Sequence, residues 1–137
     1  MRPVVDGVLE TALYVSDLDR SAGFYEEMFG FPVIHSENDR MRALSVAGRQ
    51  VLLLFRVGGS TEGAESPSGK IPPHDGQGRL HLAFAVAENQ LQSWREWLHD
   101  KDIAIESEVD CGGRSLYFRD PDGHLLELIS PGCWPIY

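Results

Sequence analysis

Residues 8–31, "VLETALYVSDLDRSAGFYEEMFGF", have a counterpart at residues 79–103, "RLHLAFAVAENQLQSWREWLHDKDI". Each stretch opens with alternating apolar residues, crosses a polar turn and continues with apolar residues three and four apart. Alternation is the period of a half-buried strand, and the longer spacing is that of an amphipathic helix. In the first copy Asp17 or Asp19 can cap the helix by accepting from the free N–H groups of its first turn. Tyr25, Met28 and Phe29 form the buried stripe, Gly30 ends the helix in a left-handed conformation, and Pro32 prevents its continuation. In the second copy Asn89 is the expected cap, and Leu91, Trp94 and Leu98 mark the buried face.

Short strands follow each helix: "FPVIHSE", "MRALSVAG" and "QVLLLFR" in the first half, "IAIESEV", "RSLYFRD" and "HLLELIS" in the second. The pattern is β-α-β-β-β written twice, an α+β chain of one domain. Module one covers about residues 6–57 and module two about 79–131. Between them lies "VGGSTEGAESPSGKIPPHDGQG" (57–78), rich in Gly, Ser and Pro and without periodicity. A stretch of that length is a linker or a functional lid, and residues 58–78 are read as both, with the part near His74 able to fold over a site.

Glu127 stands inside the apolar run 125–129, where an ionised carboxylate is costly unless a cation meets it. "DPDG" (120–123) fits a hairpin turn closed by Gly123, a register that sets Tyr117 opposite Glu127. Strand alternation then sorts the side chains. Leu9, Leu13 and Val15 face the first helix, leaving Glu10, Ala12 and Tyr14 opposite. Leu80, Leu82, Phe84 and Val86 face the second, leaving His81, Ala83 and Ala85 opposite. Glu10 and His81 thus hold equivalent places in the two modules, and Leu53 lies where Glu127 lies. Two carboxylates and an imidazole on such faces can hold a divalent ion with positions open for substrate. The plainer alternative is a strand glutamate turned to water and a surface histidine.

The net charge of −9 argues against a nucleic-acid partner, which needs a basic footprint. No apolar run has the length of a membrane span, and residues 1–20 do not read as a secretory signal, so a cytoplasmic location is expected. Cys111 and Cys133 are expected there as free thiols.

Taken together, "LETALYVSDLDRSAGFYEEMFGF", "HLAFAV" and "YFRDPDGHLLELISPG" resemble the vicinal oxygen chelate superfamily. Glyoxalase I, fosfomycin-resistance enzymes, extradiol dioxygenases and bleomycin-resistance proteins belong to it. The resemblance implies paired βαβββ modules forming a partly open mixed-sheet barrel around a metal, and a homodimer. It implies Glu10, His81 and Glu127 as metal ligands for Mn²⁺, Fe²⁺, Ni²⁺ or Zn²⁺, the oxygen-rich set favouring the first three over a thiolate-type zinc site. Glu127 and Glu10 are the candidate catalytic bases. The implied activity is that of a lyase, isomerase, thiol transferase or dioxygenase acting on a small substrate bound through vicinal oxygens.

Leu53 replaces a further glutamate of glyoxalase I, which argues against orthodox glyoxalase I chemistry. Tyr117 matches a tyrosine that binds a substrate oxyanion in the fosfomycin thiol transferases. His74 is a further substrate-side candidate, and Arg79 and Arg114 could hold an anionic substrate. The alternative is a metal-free drug-binding protein of the bleomycin-resistance type.

Overall fold

The computed structural model describes all 137 residues. They form an α+β chain that divides into two compact units, Met1–Gly78 and Arg79–Tyr137. The first unit contains β1 (Glu10–Val15), α1 (Leu18–Phe29), β2 (Val33–Glu37), β3 (Met41–Val46) and β4 (Gln50–Arg56). Its sheet runs β1-β4-β3-β2, with β1 parallel to β4 and the other neighbours antiparallel. The second unit repeats the plan with β7 (His81–Ala85), α2 (Leu91–Asp100), β8 (Ser107–Asp110), β9 (Arg114–Arg119) and β10 (Leu125–Ile129). The order is β7-β10-β9-β8, with β7 parallel to β10. No helix is long and apolar enough to cross a membrane.

The local signals act as their chemistry requires. The Asp17 carboxylate caps α1 by accepting from the Arg20 N–H at 3.0 Å, and Gly30 ends it at φ 70° with its N–H on the Glu26 carbonyl. α1 packs on β3 and β4. Tyr25, Leu44, Leu52 and Leu54 are fully buried, each leucine stabilising the fold by about 1.5–3 kcal/mol relative to an exposed one. In the second unit Leu98, Leu116, Phe118, Leu126 and Leu128 play that part. Phe29 and Trp94 are half-buried rather than core.

Three expectations need correction. Asn89 does not cap α2: a 3-10 turn over Glu88–Gln90 leads directly into the helix, and no side chain caps it. Leu9 lies just before β1 and is 66% exposed, so the alternation that buries Leu13 and Val15 does not extend to it. The cysteines are not free thiols, because Cys111 and Cys133 form a disulfide across a sequence separation of 22. The reason is a backbone approach: a Cβ on Gly113 would stand 2.3 Å from the Pro131 carbonyl oxygen and one on Gly112 2.7 Å from that of Gly132. Two adjacent glycines therefore bring the β8–β9 turn against the segment after β10, and the cysteine Cα atoms to 4.8 Å. An expected reducing compartment loses the support of free thiols.

The connector is not featureless either. It contains a short hairpin of β5 (Ala64–Ser66) and β6 (Gly69–Ile71), and its last part is pinned to the first unit. The His74 N–H donates to the Ser60 carbonyl at 3.1 Å, and Gly76 lies so close to Tyr14 that a Cβ would be 2.3 Å from the ring.

Candidate functional site

In the second unit the hairpin turn sets the register. Gly123 adopts φ 81°, its N–H donates to the Asp120 carbonyl, and the buried Asp120 carboxylate accepts from the backbone N–H groups of Asp122 and His124. His124 is fully buried and accepts the Leu80 N–H on its Nδ1 at 2.8 Å, tying β10 to the entry of β7. As expected, Glu127 pairs with Tyr117 on β9, and on its other side with Ala83 on β7.

Glu127 is only 7% exposed. The hydroxyl of Ser115, itself buried, donates to its Oε2. The Tyr117 phenol is raised above its ordinary value by burial, then by the negative charge of Glu127 and a hydrogen bond to it, against a weaker opposing effect of Ser115. It therefore keeps its proton and can donate.

His81 completes the group. Its Nδ1 lies 2.8 Å from the Leu125 carbonyl oxygen, which can only accept, so Nδ1 carries a proton. In the neutral ring that leaves a lone pair on Nε2, and Nε2 stands 3.2 Å from Glu127 Oε1. Two acceptors face one another at hydrogen-bond distance. Only a cation shared between them, a proton or a metal ion, makes that contact favourable. The backbone hydrogen bond on the far nitrogen is the usual device for aiming a metal-binding histidine. His81 and Glu127 fit a divalent ion on their own chemistry.

In the first unit the equivalent face bears Glu10, Ala12 and Tyr14 on β1, paired with Val51, Leu53 and Phe55 on β4. Below them Met41, Ala43 and Phe55 form a buried cluster against which Tyr14, Val51 and Leu53 pack. A cavity of about 410 Å³ opens on this face, with Glu10, Ala12, Leu53, Phe55, Ile71 and His74 in its wall. Glu37 and Arg40 also line it, but as an ion pair, with Arg40 donating further to the Ser60 hydroxyl at 3.1 Å. That pair holds the Glu37 carboxyl below its usual range, the Arg40 hydrogen bond outweighing burial. Glu10 is exposed. No three His, Cys, Asp or Glu side chains gather into a metal-holding group within the chain.

Of the other arginines, Arg114 and Arg119 lie against carboxylates. Arg114 lies 3.8 Å from Glu108, which accepts from Nε–H and Nη2–H of Arg95, and 3.7 Å from Asp110. It alternates with Ser115 and so sits on the face opposite Glu127. Arg79 lays its side-chain stem against Gly123, and Arg119 pairs with Glu106 at 2.7 Å. Sequence reasoning overlooked Ser115 and Tyr14. Ser115 was visible as the one hydroxyl two residues from Tyr117 on the same face, whereas nothing in the sequence couples Tyr14 to His74.

Residues 7–128 match the family model described as the Glyoxalase/Bleomycin resistance protein/Dioxygenase superfamily. The chain is 30% identical over 129 residues to the metallothiol transferase FosB of Shouchella clausii, covering 91% of this chain and 80% of that protein. It is 30% identical over 116 residues to the glutathione transferase FosA of Serratia marcescens, covering 85% and 74%. The crystal structure of a lactoylglutathione lyase from Agrobacterium tumefaciens superposes with a TM-score of 0.85 at 28% identity, covering 96% and 98%. The chain belongs to this superfamily, as its sequence resemblance implied, and is a glyoxalase-like enzyme.

Proposed function

We propose that this enzyme holds one divalent ion per chain through His81, Glu127 and Glu10, and acts on a small substrate that meets the ion through oxygen. The carrying observation is the contact of His81 Nε2 with Glu127 Oε1 at 3.2 Å, with Nδ1 already committed to a carbonyl. Mn²⁺, Fe²⁺, Ni²⁺ and Zn²⁺ all suit one imidazole with carboxylates, and the oxygen-rich set favours the first three. When bound, the ion would act as a Lewis acid, stabilising negative charge on a substrate oxygen.

The protein's own groups have separable tasks. Leu125 fixes the His81 ring, Ser115 holds one Glu127 oxygen and leaves the other for the ion, and Tyr117 offers a retained phenolic proton beside it. Glu10 is the third ligand, supplied by a second copy of the chain in a symmetric dimer. An exposed Glu10 at the wall of a cavity supports that arrangement. The names of the relatives make thiol transfer the first reaction to assay, and lactoylglutathione lyase activity the second.

The test is Mn²⁺ titration of wild type, Glu10→Gln, His81→Gln and Glu127→Gln, followed by mixing. Each single variant should bind at least about ten-fold more weakly. Refolding Glu10→Gln together with Glu127→Gln should restore tight sites, because a mixed dimer contains one site with both lesions and one with neither. No restoration would place all three ligands in one chain, and tight Mn²⁺ binding by Glu127→Gln would overturn the assignment.

A further inference from the structure

His124 lies fully buried at the entry of β10, three residues before Glu127. The turn aims it, because the Asp120 carboxylate accepts the His124 N–H at 2.8 Å and the Asp122 N–H at 3.0 Å. Its Nδ1 is 2.8 Å from the backbone nitrogen of Leu80, the residue before His81. A backbone N–H can only donate, so Nδ1 holds a lone pair and the neutral ring carries its proton on Nε2. The Leu80 carbonyl in turn accepts the Leu125 N–H at 2.8 Å, and the Leu125 carbonyl lies 2.8 Å from His81 Nδ1. Both backbone groups of Leu80 are thus tied to consecutive residues, His124 and Leu125. The first unit lacks this device. Glu10 pairs with Val51 as His81 pairs with Leu125, which makes Gln50 the counterpart of His124 and Leu9 that of Leu80. The ladder bond is kept there, with the Val51 N–H on the Leu9 carbonyl at 2.9 Å, but Gln50 and Leu9 are both exposed. The buried acceptor stands in the half where an imidazole meets a carboxylate, and not in the half that has Leu53 in that place.

We propose that His124 is the positioning residue of the metal site: by accepting the Leu80 N–H it fixes the start of β7 on β10, and so sets His81 Nε2 against Glu127 Oε1. The inference rests on the metal reading above. A side chain of similar shape without a lone pair would leave the Leu80 donor without its acceptor and free the first residue of β7 to shift. Metal–ligand distances hold to within about 0.2 Å, so a small displacement of His81 costs affinity although every ligand is still present. Sequence separation hides the contact, since Leu80 and His124 are 44 residues apart.

Mn²⁺ titration of two variants separates positioning from packing. His124→Asn places Oδ1 where His124 has Nδ1 and so keeps the acceptor, but it empties the space of the ring. His124→Phe fills that space and removes the acceptor. The first should bind Mn²⁺ within about three-fold of wild type and the second at least about ten-fold more weakly, the usual cost of losing an outer partner of a metal ligand. Thermal melts of the metal-free variants are the control. Mn²⁺ affinities that simply followed the melting temperatures would show a structural residue and overturn the role. Imidazole nitrogen NMR on metal-free wild type should show the Nε2–H tautomer for His124 and the Nδ1–H tautomer for His81. The His81 tautomer should persist in His124→Asn and become a mixture in His124→Phe. A proton on His124 Nδ1 in wild type would overturn the inference whether or not either variant folds. Equal Mn²⁺ affinity in wild type and His124→Phe would overturn the role of His124 and leave the metal reading standing. Wild type that takes up no Mn²⁺ would overturn the metal reading and this role with it.

Discussion

Leu53 and Glu127 hold the same position in the two halves of the chain: Leu53 pairs with Ala12 across a parallel strand, and Glu127 with Ala83. One half presents hydrocarbon where the other presents a carboxylate. Around Leu53 lie Met41, Ala43 and Phe55, whereas Glu127 has Ser115, Tyr117 and His81. A repeated fold has thus been given two different faces, and only one carries a final-strand carboxylate.

Leu53→Glu should therefore be destabilising without metal by about 1–3 kcal/mol, since the new carboxylate meets no donor. Denaturant unfolding in the presence of chelator measures this. Added Mn²⁺ should recover part of the loss, the new carboxylate closing an open coordination position. Wild type, lacking that second glutamate, should turn over methylglyoxal with glutathione weakly or not at all. Robust wild-type turnover would show that Glu10 and Glu127 suffice as the acid–base pair.

Glu127→Gln should separate stability from function. The amide can donate to His81 Nε2, replacing two facing acceptors by a hydrogen bond that stabilises metal-free protein by up to about 1 kcal/mol. Removing the carboxylate should at the same time abolish tight metal binding. Thermal melts with chelator and with Mn²⁺ give both answers, and a metal-free variant that melts well below wild type would contradict the account of the contact.

Reduction should loosen the second unit. Cys111 and Cys133 close a loop that contains the whole β9–β10 hairpin. For a separation of 22 the chain-entropy contribution is about 3 kcal/mol. Cys111→Ser and reductant-treated wild type should melt at similar, lower temperatures, and reductant should not shift Cys111→Ser further. The same pair of melts in both states would show whether the disulfide stabilises the hairpin that carries Glu127.

Alkaline pH should destabilise the protein through Tyr14 and Tyr117. Both phenols are raised from 10.0, chiefly by burial and then by a carboxylate, Asp75 for one and Glu127 for the other. The fold favours their protonated forms, so this stabilisation is present below pH 10.0 and is lost as pH rises through the raised values. Ultraviolet titration of wild type against Tyr14→Phe and Tyr117→Phe should remove one late-ionising phenol each time. A lost phenol that ionises at its ordinary value would refute the burial argument for that residue.

Periodicity and turn chemistry determined the βαβββ repeat, the equivalence of Glu10 with His81, and the pairing of Tyr117 with Glu127. These features act over a few residues: Asp17 caps its own helix, Gly30 ends it, and Gly123 sets the register of its own hairpin. The tertiary structure alone decided the rest. His81 reaches Leu125 over 44 residues, Tyr14 reaches His74 over 60, and Cys111 meets Cys133 where glycines let two backbones touch. Alternation tells which face a side chain occupies; it does not tell which way an imidazole turns or where a connector without periodicity docks. Those depend on contacts between segments distant in sequence, where the energy lies in a few hydrogen bonds and close approaches rather than in a repeating pattern.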